Sequence, residues 1–373
     1  MKERVLALYL PQYHPIPEND EWWGKGFTEW TNVAKSKPLF RGHYQPKVPT
    51  ELGFYDLRMP EIREEQARLA REAGIEGFVY WHYWFGNGKR LLERPFNEVL
   101  ESGKPDFPFA LAWANTSWVN ATWQKGFSRK EGQKVIAEQL YPGRKDYEEH
   151  FYTMLPAFKD ERYLCVDGKL LFFIYVPEEP AIKDFIKCWR ELAKIEGLKG
   201  FYFVAIGRVS SLRNTVKPKE KIESLISKGF DAVNTWNYTQ AEVEAGRFKK
   251  YFHAVMGKLF GIEMISKIKQ SEINKHMYIE EDKQENVFPL LFPNWDCAPR
   301  KGKECTIYTD STPEEFEKQI KPVKELLANK KPEHRIAILK SWNEWGEGNY
   351  VEPDIKYGRG YLDVLHKQLV LEI

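Results

Sequence analysis

Two glutamates, Glu344 and Glu347, stand three positions apart in the segment IAILKSWNEWGEGNYVEP at 336–353, among Trp342, Asn343, Trp345, Gly346 and Gly348. Carboxylates do acid, base or nucleophilic work, and tryptophan rings offer flat apolar faces to the C–H side of a sugar. The two glycines let the backbone turn sharply or approach a ligand closely. If the pair flanks a glycosidic bond, a separation of about 5–5.5 Å means retention and roughly 6.5–9.5 Å means inversion. Three residues on a curled loop reach either distance. Repulsion or burial that raised one pKa would leave an acid beside a base. The plainer alternative is that one Glu bonds backbone N–H groups while the other faces water.

Further polar and aromatic clusters have the same character. The stretch 11–46 carries Tyr13, His14, Trp22, Trp23, Glu29 and Trp30, the inventory of a sugar-binding surface, although such tryptophans also serve to pin a loop. His82 lies with Trp81, Tyr83 and Trp84 and is placed to orient a hydroxyl or a carboxylate, or to be a hydrogen-bonded structural imidazole. Asn115 with Trp118, Trp236 with Asn237, and Asn294 with Trp295 pair a stacking ring with a hydrogen-bonding group, and Asp296 adds a third carboxylate. No His-Glu-x-x-His or His-x-His arrangement occurs and no catalytic metal or cofactor is expected. Ser341 lacks a Gly-x-Ser-x-Gly context, so an esterase elbow is unsupported. Cys297 is the one cysteine near these clusters and reads as structural.

These residues must be held by elements, and apolar runs supply them. Strand candidates are Val5–Leu10, Gly77–Trp81, Phe109–Trp113, Leu170–Tyr175, Phe201–Ile206, Phe230–Asn234, Asn286–Leu291 (with Pro289 inside it) and Ile336–Leu339. Helical patterns fall at Pro60–Glu72, Arg90–Glu101, Tyr147–Phe158, Ala181–Ile195, Lys221–Lys228, Pro313–Leu327 and Gly360–Leu371. Residues 11–46 read as one long loop, and 241–276 as mostly helical or irregular. The alternation predicts a single α/β domain over 1–373, a (β/α)8 TIM barrel with long active-site loops, its clusters just after the strands where such barrels place chemistry. A doubly wound sheet is the competitor, but neither G-x-G-x-x-G nor a P-loop is present.

Composition bounds the partners. With 56 Lys and Arg against 54 Asp and Glu, net charge is +2, which gives no reason to expect nucleic acid or an anionic membrane. Aromatic content is 15% with 13 Trp, more than a core comfortably buries, so an aromatic-lined cleft is expected. Cys165, Cys188, Cys297 and Cys305 form no C-x-x-C pair and imply no disulfide. The start, MKERVLALYLPQYH, reads as a first strand and not as a signal peptide or membrane span, so the cytoplasm is the default. Without a secretory signal the sequons at Asn115, Asn120 and Asn237 carry no weight. The charge run 280–285 and the pairs Lys249–Lys250 and Lys330–Lys331 read as solvated surface.

LYLPQYHPIPENDEWWGKGFTEW at the start, GFYDLR at 53–58, VYWHYWF at 79–85, LAWAN at 111–115 and KSWNEWGEG at 340–348 resemble the WbsX-like family, and the resemblance runs over nearly the whole chain. That family is labelled a glycosyltransferase of O-antigen or other polysaccharide clusters, and is similar to glycoside hydrolase family 99. Family 99 comprises retaining, endo-acting (β/α)8 α-mannosidases and mannanases with a Glu-Trp-His-Glu-Gly motif after the last strand. By that resemblance Glu344 falls where the base that deprotonates the sugar 2-hydroxyl sits, and Glu347 where the general acid/base sits. Gly346 departs from the motif, which has His there.

The resemblance implies an endo-acting, retaining glycoside hydrolase of a manno- or rhamno-configured microbial polysaccharide, working by a Glu/Glu pair with 2-hydroxyl participation. A glycosyltransferase or transglycosylase of O-antigen or capsular polysaccharide biosynthesis is the alternative, which a basic βα loop for phosphates or an Asp-x-Asp metal motif would favour; no Asp-x-Asp is present, which counts against a metal-dependent transferase. A non-catalytic carbohydrate-binding protein is the third. In each the partner is an oligo- or polysaccharide, and the sequence sets no oligomeric state.

Overall fold

Continuous apolar runs become parallel strands when both faces are to be covered. In the computed structural model, which describes residues 3–119, 134–209, 216–246 and 265–371, such runs pair side by side. Arg4–Tyr9 pairs with Gly77–Trp84, and Phe109–Trp113, Lys169–Ile174, Phe201–Gly207 and Ala232–Thr235 follow in turn, all parallel. The last strand, Ile336–Leu339, returns to the first, with Arg4 opposite Ile336 and Ala7 opposite Leu339. The remaining gap is spanned in two pieces. Val287–Phe288 pairs with Ala232–Thr235, and Leu290–Leu291 with Ile336–Leu339. Pro289 lies between them and has no N–H for a ladder, but its carbonyl accepts the Ile338 N–H at 3.0 Å. The strand changes partners at that proline. The outcome is a mixed α/β fold on a near-closed parallel barrel with flanking helices, a TIM-barrel-like architecture.

The helices cover the barrel with apolar stripes. In Ile182–Ile195 the buried residues Ile182, Phe185, Ile186, Trp189, Leu192 and Ala193 recur at helical spacing. Trp189 packs on Phe172 at 4.8 Å and Phe201 at 5.2 Å between ring centres, from two different strands. Burying each such ring stabilises the fold by roughly 1.5–3 kcal/mol. Pro60–Glu72 and Pro313–Leu327 run over the spans their periodicity predicts, each started by a proline in the first turn.

Some boundaries differ. Arg90–Leu91 is not helical but pairs with Tyr83–Trp84, and Leu92 takes a left-handed φ of 59° before the helix Arg94–Ser102 begins. The predicted loop 11–46 contains two short helices, α1 (Pro17–Trp23) and α2 (Glu29–Lys35). Seven residues are too few for periodicity to register or for propensity alone to hold a helix. Tertiary contacts hold α2, where Trp30 packs on Tyr13, Tyr55 and Trp345. After 241 the described part includes the strand Ser266–Lys269 and the helix Gln270–Asn274. Asn120, Lys249 and Lys250 lie outside the described residues.

Cys297 and Cys305, expected to be unpaired, are disulfide-bonded with Cα atoms 5.5 Å apart. Their spacing matches no motif, and a helical turn at Ala298–Lys301 folds the chain back to bring them together. Cys165 and Cys188 are free thiols. No helix among the described residues is long and apolar enough to cross a membrane.

Candidate active site

Each parallel strand hands the chain to a loop at its C-terminal end, and those loops enclose a cavity of about 380 Å³. Leu10 and Gln12 follow the first strand, Trp81 and Tyr83 close the second, and Thr116, Ser117 and Trp118 follow the third. Tyr175 and Arg208 come after the next two, then Trp236 with Tyr238. Trp295, Arg300 and Lys301 lie beyond the interrupted strand, and Lys340, Glu344 and Glu347 beyond the last. Barrels of this kind place their chemistry on this face.

The two glutamates sit on a small hairpin. Asn343–Glu344 pairs antiparallel with Asn349–Tyr350, and a single 3₁₀ turn, Trp345–Glu347, joins them. The hairpin is fixed from below. Trp345 is fully buried, stacks on Tyr350 with ring centres 3.7 Å apart, and donates its indole N–H to Glu352 Oε2 at 2.6 Å. Asn343 accepts the Leu10 N–H at 2.8 Å, and the Tyr13 hydroxyl accepts the Trp345 N–H at 3.1 Å while donating to the Asn343 carbonyl. Gly348 has φ +55°, and a Cβ there would fall 2.7 Å from the Asp296 carbonyl oxygen.

Two cations hold the pair. Arg300 Nη1 lies 2.9 Å from Glu344 Oε1 and 2.9 Å from Glu347 Oε1, while its Nε donates to Glu29 Oε1 at 3.0 Å. Lys340 Nζ is 3.1 Å from Glu347 Oε2 and 3.8 Å from Glu344 Oε2, and 4.9 Å from the Trp295 ring centre. Burial pushes the Glu347 carboxyl up, but Lys340 and Arg300 outweigh it and hold the group at about 2. Burial would lower the Lys340 ammonium, yet Glu347 and Glu344 more than offset that and keep it above its ordinary value. Glu29 is fully buried, its Oε2 without a hydrogen-bond partner, and burial carries its carboxyl up to about 7 despite Arg300. A Cβ on Gly346 would fall 1.4 Å from Glu29 Oε1. The Glu29 carboxyl occupies the space into which any side chain at 346 would project.

Of the residues singled out from sequence, Glu344, Glu347, Trp81, Tyr83, Trp118, Trp236 and Trp295 meet at this cavity. The others lie behind it or apart from it. Trp342 and Trp345 are wholly buried and present no ring to a sugar; Trp342 packs on Phe78. Trp30 donates its N–H to the Tyr55 carbonyl, and Trp23 packs on Phe27. Trp22 reaches the edge of Trp118 at 6.1 Å, a support to a lining ring. His14 is buried against the Pro11 carbonyl. His82 is buried with Nε2 2.7 Å from that of His150, and burial holds both imidazoles well below their ordinary value. Trp84 stacks on His150 and donates to Asp146. Asn115 bonds the Val176 backbone, Asn237 reaches Asp282, and Asn294 bonds the Tyr350 backbone. Asp296 accepts from His43 and Gln45.

The principal residues missed are cations: Arg208, Arg300, Lys301 and Lys340. Lys340 carried a signal, since it directly follows an apolar run and precedes the glutamates. Glu352 was also missed as a support. It is buried, accepts from Trp345, Gln66 and Tyr55, and burial carries its carboxyl up to about 7. Among the described residues no group of three or more His, Cys, Asp or Glu side chains is arranged to hold a metal ion.

A family model described as Glycosyltransferase WbsX matches residues 5–365. Two curated relatives, each called uncharacterized protein WxcX and from two strains of Xanthomonas campestris pv. campestris, are both 32% identical over 370 and 368 residues. The alignment covers 98% of this chain and 49% of each relative, so the chain spans about half their length. Among solved structures, a glycoside hydrolase-like protein superposes with a TM-score of 0.61 at 13% identity, covering 99% of this chain and 94% of the other. A GH99 endo-alpha-mannosidase from Bacteroides thetaiotaomicron does so with 0.58 at 15% identity, covering 99% and 96%. These two share the fold. The chain belongs to the WbsX family, a carbohydrate-active family related in fold to GH99.

Proposed function

We propose that this member of the WbsX family is a glycosyltransferase of O-antigen or capsular polysaccharide assembly, moving a sugar from a phosphate-linked donor to an acceptor glycan. On this reading 1–373 is one (β/α)8 catalytic domain. The observation that carries it is the convergence of four cations on the cavity that holds the two glutamates. Lys340 at 3.1 Å and Arg300 at 2.9 Å pair with Glu347 and lower its carboxyl, which works against its giving a glycosidic oxygen the proton that a glycosidase's acid supplies. A phosphate leaving group needs no such proton. It needs cations, and Arg208, Arg300, Lys301 and Lys340 all line the cavity.

The anomeric C–O bond to phosphate breaks, and the leaving oxygens draw on the cavity's cations. Ionised Glu347 stabilises positive charge developing on the sugar ring. The acceptor hydroxyl attacks the anomeric carbon, and its proton passes to Glu344, whose Oε2 is approached only to 3.8 Å by Lys340. Trp81, Trp118, Trp236 and Trp295 supply rings for the two sugars.

Glu29 favours a second reading, an endo-acting, retaining hydrolase of a manno- or rhamno-configured polymer. It is a buried carboxyl raised to about 7, and it shares Arg300 with both lining glutamates, so the site holds one carboxyl that favours its acid form beside two that face the cavity. Calorimetric titration with UDP, GDP and dTDP separates the readings. Transfer from a nucleotide-linked sugar predicts that one of them binds, and about tenfold more weakly to Arg208→Gln or Lys301→Gln. Equal affinities in wild type and both variants would remove the cations' assigned role.

A further inference from the structure

A second cavity, of about 330 Å³, shares the catalytic hairpin but not its glutamates. That volume lies in the range of small-molecule sites, roughly 300–1,000 Å³. At its inner end is Lys47, only 8% exposed. An ammonium has three donors. That of Lys47 makes one hydrogen bond, to the Gly348 carbonyl at 3.2 Å, and stands 5.2 Å from the Tyr350 ring centre. The nearby carboxylates are engaged elsewhere. Asp296 accepts from His43 at 2.8 Å, Gln45 at 2.7 Å and the Ala298 N–H at 3.1 Å. Asp354 accepts from the Tyr350 hydroxyl at 2.6 Å and from two backbone N–H groups. At the mouth the exposed Arg41 and Lys356 outnumber the exposed Asp310, with Lys356 5.0 Å from the Tyr44 ring centre and 4.7 Å from that of Tyr357.

We propose that this cavity binds an anionic sugar unit, its carboxylate or phosphate seated on the two remaining donors of Lys47 and its ring against Tyr44 and Tyr357. Burying an ammonium with one acceptor is costly, and burial holds that of Lys47 below its ordinary value even though the Asp296 and Asp354 charges partly offset it. An anion offsets that cost, whereas a neutral sugar does not. The wall is common to both cavities. Lys47 holds the Gly348 carbonyl, and the Asp296 N–H donates to the Glu347 carbonyl at 2.8 Å, so occupancy here braces the turn that carries Glu347. That the unit belongs to the acceptor glycan rests on the transferase reading; the binding itself does not.

The test is ligand-observed NMR titration of the whole chain with glucuronate, glucose 6-phosphate and, as neutral control, glucose. The two anions are expected to bind and glucose not, with affinity falling at least tenfold in Lys47→Met and weakening with added salt. Comparison of the two anions tells carboxylate from phosphate. Should Lys47→Met fail to fold, Lys356→Gln at the exposed mouth serves instead, with a smaller loss. Glucose binding as well as the anions, binding of neither anion, or anion binding untouched by both lysine variants would overturn the proposal. Binding lost in Lys301→Gln and kept in Lys47→Met would place the anion in the main cavity, which overturns this site while supporting the transferase reading.

Discussion

Glu29 is a carboxyl buried with one oxygen unpartnered, and such a group is cheaper to keep neutral than charged. Its folded pKa of about 7 lies above the ordinary 4.5, so between those values the folded state binds the extra proton. Stability from this group is complete below about 4.5 and is lost as pH rises towards 7. Glu29→Gln should therefore flatten the fall in melting temperature between pH 5 and pH 7.5, and an unchanged slope would put the proton elsewhere. Glu347 has the opposite sign: its pKa of about 2 contributes stability above 4.5 that is lost as pH falls towards 2. Lys340→Met should shrink that acid-side loss, read from unfolding midpoints at pH 3 and pH 6. At Gly346 the expectation is a collision, since an added Cβ meets Glu29 Oε1. Gly346→Ala should destabilise by about 1–3 kcal/mol, and the double variant with Glu29→Ala should recover most of it. Additive losses in that cycle would mean the two positions do not share the space.

At the level of elements, what the chain's pattern revealed and what it hid have separate physical causes. Strands such as Phe201–Gly207 are legible because a two-sided buried strand is a continuous apolar run. The glutamates are legible because the hairpin follows one such run at once. Glu29 stood out only as an acidic residue among tryptophans, and its position depends on the seven-residue α2, held by Trp30 and not by its own periodicity. Arg300 was illegible for a similar reason, lying on the four-residue helix Ala298–Lys301 closed by Cys297–Cys305. No local pattern announces that such a turn will reach across to glutamates at 29, 344 and 347. That dependence makes a prediction. Cys305→Ser opens the turn and should cost roughly 2–4 kcal/mol of stability. It should also cut turnover several-fold beyond the effect of Cys188→Ser, because Arg300 loses its fixed approach. Equal turnover in the two variants would separate the disulfide from the site.

Over the whole molecule, a barrel gathers loops from every strand, so residues from 10 to 347 share one cavity. Sequence shows each cluster singly. It does not show that four cations converge on the same space as two glutamates, and that convergence is what turns the reading towards transfer. The most direct measurement is mass-spectrometric product analysis with a panel of nucleotide-linked sugars and acceptor glycans, using wild type, Glu344→Gln and Glu347→Gln. The account predicts acceptor glycans extended by one sugar, with release of the nucleoside phosphate, and at least about 100-fold less of both in each variant. Shorter oligosaccharides released in water from a polymer with no donor present, by wild type and by neither variant, would contradict it and establish a hydrolase.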